Sequence, residues 1–168
     1  MRRMPAGART VNPDDLNKVL GAIPYGLYVV GSTEAETVGT IVANWVTQVS
    51  FSPAMIGIAI ETDSRMKILI ERSGVFCLNL LRAGDTGLAK AFLKAAESSG
   101  DSVNGREFTR TKRGTPFLRD ALGSIECEVT SALPSGDHTL FLGKIVGAAW
   151  NGGGDALTLR ETGWKYRG

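Results

Sequence analysis

The sequence predicts a mainly β fold with short helices, arranged as an antiparallel barrel. Short apolar or alternating stretches recur between turn residues, as at residues 26–31, 55–60 and 139–149. Polar or glycine-rich segments, such as residues 32–37 and 151–155, are typical of hairpin turns. The helical stretches are few and local, which favours an antiparallel barrel over a parallel sheet.

The first helix is predicted to begin at Asn12, because a capping asparagine is followed by Pro13 and two aspartates. Its apolar face consists of Leu16, Val19, Leu20 and Ile23. A second helix is predicted to start at Asp63 or Ser64, and Asp85 is predicted to cap a third one that runs through residue 94.

The second half of the chain is predicted to be β-rich and to continue the same domain. Ile125, Cys127 and Val129 alternate with polar residues that include Glu126, which predicts a half-exposed strand. Residues 97–105 are polar and contain glycine, so they are the candidate mobile loop. We therefore expect one domain over residues 1–168, with a flexible N-terminus at residues 1–11.

Composition narrows the range of functions. The 168 residues are 43% hydrophobic, which supports one packed core, and the net charge of +2 gives no indication of a polyanionic partner. The basic clusters near residues 2–9 and 110–113 contain no interleaved aromatic residues, so we interpret them as solvated surface rather than a nucleic-acid site. Residues 55–60 form the longest apolar run, too short to cross a bilayer.

Cofactor motifs of the common kinds are missing from the sequence. Cys77 and Cys127 stand far apart in apolar contexts and are interpreted as core thiols, which together with the absence of a secretory signal predicts a cytoplasmic protein. The single histidine and the cysteine spacing predict no metal site. Neither a dinucleotide-binding fingerprint nor a P-loop is present, so any cofactor is held in another way.

Residues 43–53 form the first segment suited to chemistry. They join two strands and carry the carboxamides of Asn44 and Gln48, the indole of Trp45 and several hydroxyls. The alternative interpretation is a polar bend between strands, with Trp45 as part of the core.

A predicted helix start at residues 61–67 forms the second segment. Free backbone N–H groups at a helix start attract anions, and Ser64, Arg65 and Lys67 add a hydroxyl and two cations. The alternative is a simple helix cap with two exposed cations. The third segment, at residues 136–139, contains His138, whose imidazole suits proton exchange near neutrality but is also common in surface turns.

Read together, these segments resemble the flavin reductase-like FMN-binding split-barrel family. The resemblance rests on residues 25–30, on Asn44-Trp45-Val46-Thr47-Gln48 and the residues up to Pro53, on Asp63-Ser64-Arg65, and on Gly136-Asp137-His138. It extends over residues 16–168, including the tail at residues 161–166. Many relatives have two prolines where this chain has Ser52-Pro53-Ala54, which changes the turn and leaves the site intact.

The resemblance implies a Greek-key split β-barrel of six antiparallel strands that forms a homodimer and binds FMN, or in some relatives FAD, near the dimer interface. Ser64 and Arg65 would hold the phosphate, and His138 would lie where flavin and nicotinamide meet. The residues implied to border the isoalloxazine and the ribityl chain are Asn44, Trp45, Val46, Thr47 and Gln48, with Ser50 nearby.

The activity so implied is that of an NAD(P)H-dependent flavin reductase, which passes hydride from NADH or NADPH to flavin and onward to an oxygenase, iron or oxygen. The runner-up is a flavoredoxin-like electron carrier with permanently bound FMN and no significant NAD(P)H activity. A third possibility is a split-barrel protein that uses haem or a deazaflavin. The residues do not choose between NADH and NADPH, and they do not identify the electron acceptor.

Overall fold

The computed structural model describes residues 11–164, so the flexible N-terminus expected at residues 1–11 and the end of the tail lie almost wholly outside the described residues. The helices are α1 (Pro13–Ala22), α2 (Arg65–Ser73), α3 (Thr86–Ala91) and α4 (Leu159–Thr162). The strands are β1 (Tyr28–Glu34), β2 (Thr37–Ala43), β3 (Val46–Phe51), β4 (Ala54–Glu61), β5 (Val75–Leu80), β6 (Ser98–Ser99), β7 (Ser102–Val103), β8 (Arg106–Arg110), β9 (Pro116–Leu118), β10 (Gly123–Ser135) and β11 (His138–Trp150).

A seven-stranded antiparallel sheet dominates the structure, in the order β2-β1-β5-β10-β11-β4-β3. Its edge strands β2 and β3 are consecutive in the chain and are joined only by Asn44 and Trp45. The sheet is therefore curved back toward itself without closing, as in a split barrel. The predicted mainly β, antiparallel fold is confirmed, with β3 as a seventh strand in a segment that the sequence presented as a connection.

Two apolar clusters pack on opposite faces of this sheet. Val29 belongs to one cluster and Val30 to the other, as expected when successive side chains of a strand point to opposite faces. The first cluster contains Phe92 and is covered by α3 and by the small sheet β6-β7-β8-β9. The second lies inside the curved sheet, where Ile58 of β4 and Ile70 of α2 are fully buried.

The loop expected at residues 97–105 contains the short strands β6 and β7, which pair with each other and with β8. The strand around residue 126 is also less exposed than expected, because Glu126 is buried. The hydroxyls of Thr111 and Thr115 both donate to the same oxygen of its carboxylate, from the segment that joins β8 to β9. The small sheet and this segment thus cover a strand face that the alternating pattern assigned to solvent.

Helix α1 begins as predicted, with the Asn12 side chain accepting a hydrogen bond from the Asp14 N–H at 2.9 Å. Its apolar face is not packed, since none of its residues is buried against the rest of the described chain. Helix α3 is shorter than predicted and ends at Ala91. The Asn104 amide donates to the Ala91 carbonyl at 2.9 Å, and its oxygen accepts from the Glu97 N–H, so the following residues are drawn away from the helix axis.

Both cysteines are buried free thiols, as predicted, and burial raises the pKa of Cys77 and of Cys127 to about 12. Among residues 11–164, none of the helices has the length and apolar character that spanning a bilayer requires. Within the same range, no three His, Cys, Asp or Glu side chains cluster in a way that would hold a metal ion.

Candidate functional site

A cavity of about 320 Å³ opens between the β2 edge of the sheet and the end of α3. Its walls come from residues 40–45, from residues 59–61 with Ser64, from residues 92–95, and from His138. All three segments that the sequence marked for chemistry therefore contribute to one cavity.

Strand pairing brings these segments together. The Trp45 carbonyl accepts a hydrogen bond of 3.0 Å from the Ala59 N–H, which holds the β2–β3 connection against β4. His138 is the first residue of β11 and pairs with Glu61, the last residue of β4. The Thr62 N–H donates to the Asp137 carbonyl at 2.9 Å, so the turn before α2 is tied to the turn before β11.

An aromatic pair forms one side of the cavity. The Trp45 and His138 rings have centroids 4.4 Å apart, with an angle of 46° between their planes. The His138 side chain is 8% exposed, whereas its neighbour Asp137 is 85% exposed. The two rings thus lie at the point where strand β4 ends and strand β11 begins.

Asp137 fixes the chemical character of His138. The Asp137 carboxylate lies 2.7 Å from His138 Nδ1, and this hydrogen bond lowers the pKa of Asp137. A carboxylate that stays ionised accepts the Nδ1 proton, so it favours the tautomer protonated at Nδ1.

Two buried polar atoms at the cavity are unpaired. Among the described residues, neither Thr40 Oγ1 nor Asn44 Nδ2 has a hydrogen-bond partner. The two residues are only 4% and 7% exposed. A buried polar group without a partner costs roughly 1–3 kcal/mol, so both groups are candidates for contact with a bound molecule.

The predicted anion site at α2 is only partly in the cavity. Ser64 lines it and caps α2, since its hydroxyl accepts from the Lys67 N–H at 3.2 Å and donates to the Glu61 carbonyl at 2.8 Å. Arg65 and Lys67 are not among the cavity-lining residues, and the Lys67 ammonium pairs with Glu71 at 2.9 Å.

The remaining predicted contacts, Val46, Thr47, Gln48 and Ser50, lie on β3 beyond the cavity wall. Thr47 and Gln48 are exposed, and the Gln48 amide donates locally to the Ser50 carbonyl. In a single chain, β3 is therefore an edge strand with its polar side chains in solvent.

Thr40, Phe92 and Lys94 line the cavity and were not singled out in the sequence. Thr40 lies inside an ordinary strand pattern, and Lys94 was assigned to the last turn of a predicted helix. No local feature of the sequence predicts that residues 92–95 leave the helix. The residue that ends α3 early, Asn104, lies more than ten residues away along the chain.

Comparison with known proteins identifies the relatives of this chain. A family model described as the flavin reductase-like domain matches residues 20–164. "Diflavin flavoprotein A 1" of Synechocystis sp. is 34% identical over 132 residues, which are 78% of this chain and 23% of that protein. "Putative diflavin flavoprotein A 3" of Nostoc sp. is 34% identical over 137 residues, 78% of this chain and 24% of that protein. The chain thus spans about a quarter of the length of these curated relatives.

Solved structures share the fold over nearly the whole chain. The NADH:FAD oxidoreductase SgcE6 of Streptomyces globisporus C-1027, in complex with NAD and FAD fragments, has 27% identity and a TM-score of 0.78, covering 92% of this chain and 94% of that one. The flavin reductase PheA2 has 25% identity and a TM-score of 0.75, covering 88% and 93%. These findings confirm the predicted fold class, and because the family model covers most of its length, the chain belongs to the flavin reductase-like family.

Proposed function

We propose that this chain is an NAD(P)H-dependent flavin reductase whose cofactor is FMN, with FAD as the alternative flavin. The observation that carries the proposal is the cavity, which is lined by the tilted Trp45 and His138 ring pair and by Asn44, whose amide nitrogen has no partner among the described residues. The similarity to an NADH:FAD oxidoreductase over most of both chains supports the same activity.

The lining of the cavity fits a flavin. An isoalloxazine is a flat ring with apolar faces and a polar edge, and Trp45 offers an aromatic surface for such a ring. The Asn44 Nδ2 group is a donor without a partner among residues 11–164, and it matches a carbonyl or ring nitrogen on that edge. Trp45 and Asn44 would therefore hold the ring system, each by a different kind of contact.

The redox chemistry is that of the cofactor pair, in which two electrons and a proton pass as hydride from the dihydronicotinamide to the flavin. The protein orients the rings and excludes water. His138, whose Nδ1 is hydrogen-bonded to Asp137, lines the same cavity. It is the residue we assign to catalysis.

Steady-state oxidation of NADH and of NADPH, with FMN or FAD added to the purified chain, tests the activity. We expect flavin-dependent turnover with at least one donor. In His138→Ala, we expect the rate of flavin reduction to fall by about tenfold to a hundredfold, at or below the low end for an acid–base or orienting group. The flavin affinity should fall by less. Asp137→Asn retains the imidazole and changes only its Nδ1 partner, so it should lower the rate less than His138→Ala does. Unchanged stopped-flow reduction in His138→Ala would remove the catalytic role.

The phosphate of FMN is proposed to bind at the α2 turn, with Ser64 and Arg65 as its contacts and Lys67 as a further cation. The nine-residue helix α2 starts there, and a helix N-terminus favours an anion. Lys94 is a competing cation, because it lines the cavity and its only described ion pair is a 3.8 Å contact with the exposed Glu97.

Titration of the flavin-free protein with FMN and with riboflavin tests whether Arg65 or Lys94 binds the phosphate. We expect tighter binding of FMN by about tenfold, as for one charge-assisted hydrogen bond. Arg65→Ala should remove that preference if the α2 turn holds the phosphate, and Lys94→Ala should remove it if the α3 side does. Equal affinities of the unmodified protein for both flavins would mean that the phosphate lies in solvent.

We also propose that the active form is a homodimer. Apolar side chains remain exposed on the single chain, with Phe51 of β3 at 91%, and the apolar face of α1 is unpacked. A second copy that covers β3 would bury Phe51 and would enclose Thr47 and Gln48 at the edge of the cavity. Twofold pairing is the commonest way in which a small protein buries such a surface.

Light scattering of the flavin-loaded protein tests this assembly, and a dimer mass at micromolar concentration is expected. Phe51→Glu should yield the monomer, whereas Ile68→Glu, at an exposed apolar position on α2, should leave the mass unchanged. A monomer mass for the unmodified protein with flavin still bound would contradict the proposal.

The second candidate is an electron carrier with permanently bound FMN. The curated relatives favour this candidate. Their name, diflavin flavoprotein, refers to bound flavin and does not mention nicotinamide-dependent reduction. A carrier would retain flavin through purification and show no significant NAD(P)H oxidation. A reductase would pass reduced flavin or electrons to an oxygenase, iron or oxygen. The absorbance spectrum of the purified protein also separates a flavin from haem or a deazaflavin.

A further inference from the structure

Thr40 is placed on the wall of the cavity by the pleat of strand β2. Alternate residues of a strand share a face, and Val38 and Val42 pack with the cluster that contains Phe92. Thr40 lies between them on the same face, and both Thr40 and Phe92 line the cavity. Its side chain therefore faces the α3 side of the cavity, away from the barrel interior.

The hydroxyl of Thr40 makes no hydrogen bond to the described part of the chain. Oγ1 is buried, and no residue of the described chain accepts its proton or donates to it. Several other buried hydroxyls are paired, as when Ser32 donates to the Val75 carbonyl at 2.8 Å and Thr115 donates to Glu126 at 2.6 Å. Valine has the same branched shape and suits a strand equally well, so packing and β propensity do not require threonine at this position.

We infer that Thr40 is a flavin-binding residue of this chain, whose hydroxyl exchanges a hydrogen bond with a polar atom of the cofactor. The inference rests on the proposed function and adds a contact on strand β2, away from Trp45 and His138. Thr40 and Asn44 are four residues apart, about 13 Å along an extended strand, so the two unpaired groups reach different parts of one ligand. The unpaired Nδ2 of Asn44 can only donate, whereas a hydroxyl both donates and accepts, which suits a flavin's carbonyls and its ribityl hydroxyls.

The test compares Thr40→Val with Thr40→Ser in the purified full-length chain freed of flavin. Two quantities are measured: the urea midpoint of the flavin-free protein, and its affinity for FMN by flavin fluorescence. Because valine removes an unpaired buried group, Thr40→Val should leave the urea midpoint of the flavin-free protein unchanged or raise it. The same variant should bind FMN about tenfold more weakly, equivalent to about 1.4 kcal/mol. Thr40→Ser keeps the hydroxyl and should stay within about threefold of the unmodified protein, the range of a small packing change.

Thr115→Val is the matched control, since its hydroxyl is paired with Glu126 far from the cavity lining. It should lower the urea midpoint and leave FMN affinity unchanged. A Thr40→Val protein that binds FMN as tightly as the unmodified chain would overturn the inference, as would one that loses affinity together with stability. If the unmodified protein binds neither FMN nor FAD, the proposed function itself fails. That result is distinct from a failure of the Thr40 assignment alone.

Discussion

Asn79 and Asn44 are both buried, yet they have opposite hydrogen-bonding status. Asn79, in the central strand β5, is fully buried and uses both ends of its amide. It donates to the carbonyls of Val29 and Pro116 and accepts from the Leu118 N–H and the Ser124 hydroxyl, all within 3.2 Å. Asn44, where strands β2 and β3 meet, has an amide nitrogen with no partner in the described chain.

Two buried threonines repeat this contrast. Thr115 is fully buried and its hydroxyl is within 3.0 Å of Thr111 and within 2.6 Å of Glu126. Thr40 is nearly as buried, and its hydroxyl has no described partner. The side of the molecule near β9 and β10 thus uses its buried polar groups to hold loops to the sheet. The cavity side keeps its polar groups available, which distinguishes structural polarity from polarity suited to a ligand.

The largest effect is expected for Asn79→Ala. The substitution leaves several buried donors and acceptors unpaired at once, each at a cost of roughly 1–3 kcal/mol, so we expect the free energy of unfolding to fall by about 3 kcal/mol or more. Urea denaturation of the flavin-free protein measures it. Asn44→Ala is the counterpart and should change this free energy by less than about 1 kcal/mol, because no described hydrogen bond of its amide nitrogen is lost. An equal fall in the free energy of unfolding in both variants would contradict the distinction between the two asparagines.

A smaller effect is expected for Thr115→Val. It removes one of the two hydroxyls that donate to the Glu126 carboxylate and leaves that buried group with a single donor. The free energy of unfolding should fall by roughly 1–3 kcal/mol, the cost of an unsatisfied buried group. Chemical denaturation at neutral pH measures the loss. A variant as stable as the unmodified chain would show that Thr111 alone suffices.

The smallest effect concerns Asp137 and pH. Its pKa lies below the ordinary value of 3.8 in the folded protein, chiefly because its carboxylate is hydrogen-bonded to His138. A carboxyl with a lowered pKa contributes stability above its ordinary value and loses that contribution as the pH falls through the lowered pKa. Asp137→Asn should therefore narrow the gap in thermal midpoint between pH 7 and pH 3. Because this side chain is 85% exposed, the shift should be slight, and an unchanged pH profile would show that the contact is not maintained in solution.

Features fixed by neighbouring residues were predictable from the sequence. Asn12 caps α1 through the N–H of Asp14, and Ser64 caps α2 through the N–H of Lys67, both by contacts a few residues away. The family motifs also identified Asn44, Trp45, Ser64 and His138, which the structure brings to one cavity.

Features that depend on distant partners were not predictable. Glu126 looked exposed because its donors, Thr111 and Thr115, come from a loop more than ten residues earlier. Strand β3 looked like a connection because an edge strand exposed on both faces has no alternating pattern. Thr40 gave no signal at all, because a lone hydroxyl in a strand is ordinary until its lack of a partner is seen.

The central claim is that the cavity beside Asn44, Trp45 and His138 binds a flavin. Titration of the flavin-free protein with FMN, followed by flavin fluorescence, tests it most directly, with Asn44→Ala measured in parallel. The account predicts saturable binding of one FMN per chain, weakened by about tenfold in Asn44→Ala through the loss of one hydrogen bond to the ligand. Binding of FMN and FAD that does not saturate, or that is the same in Asn44→Ala, would contradict it.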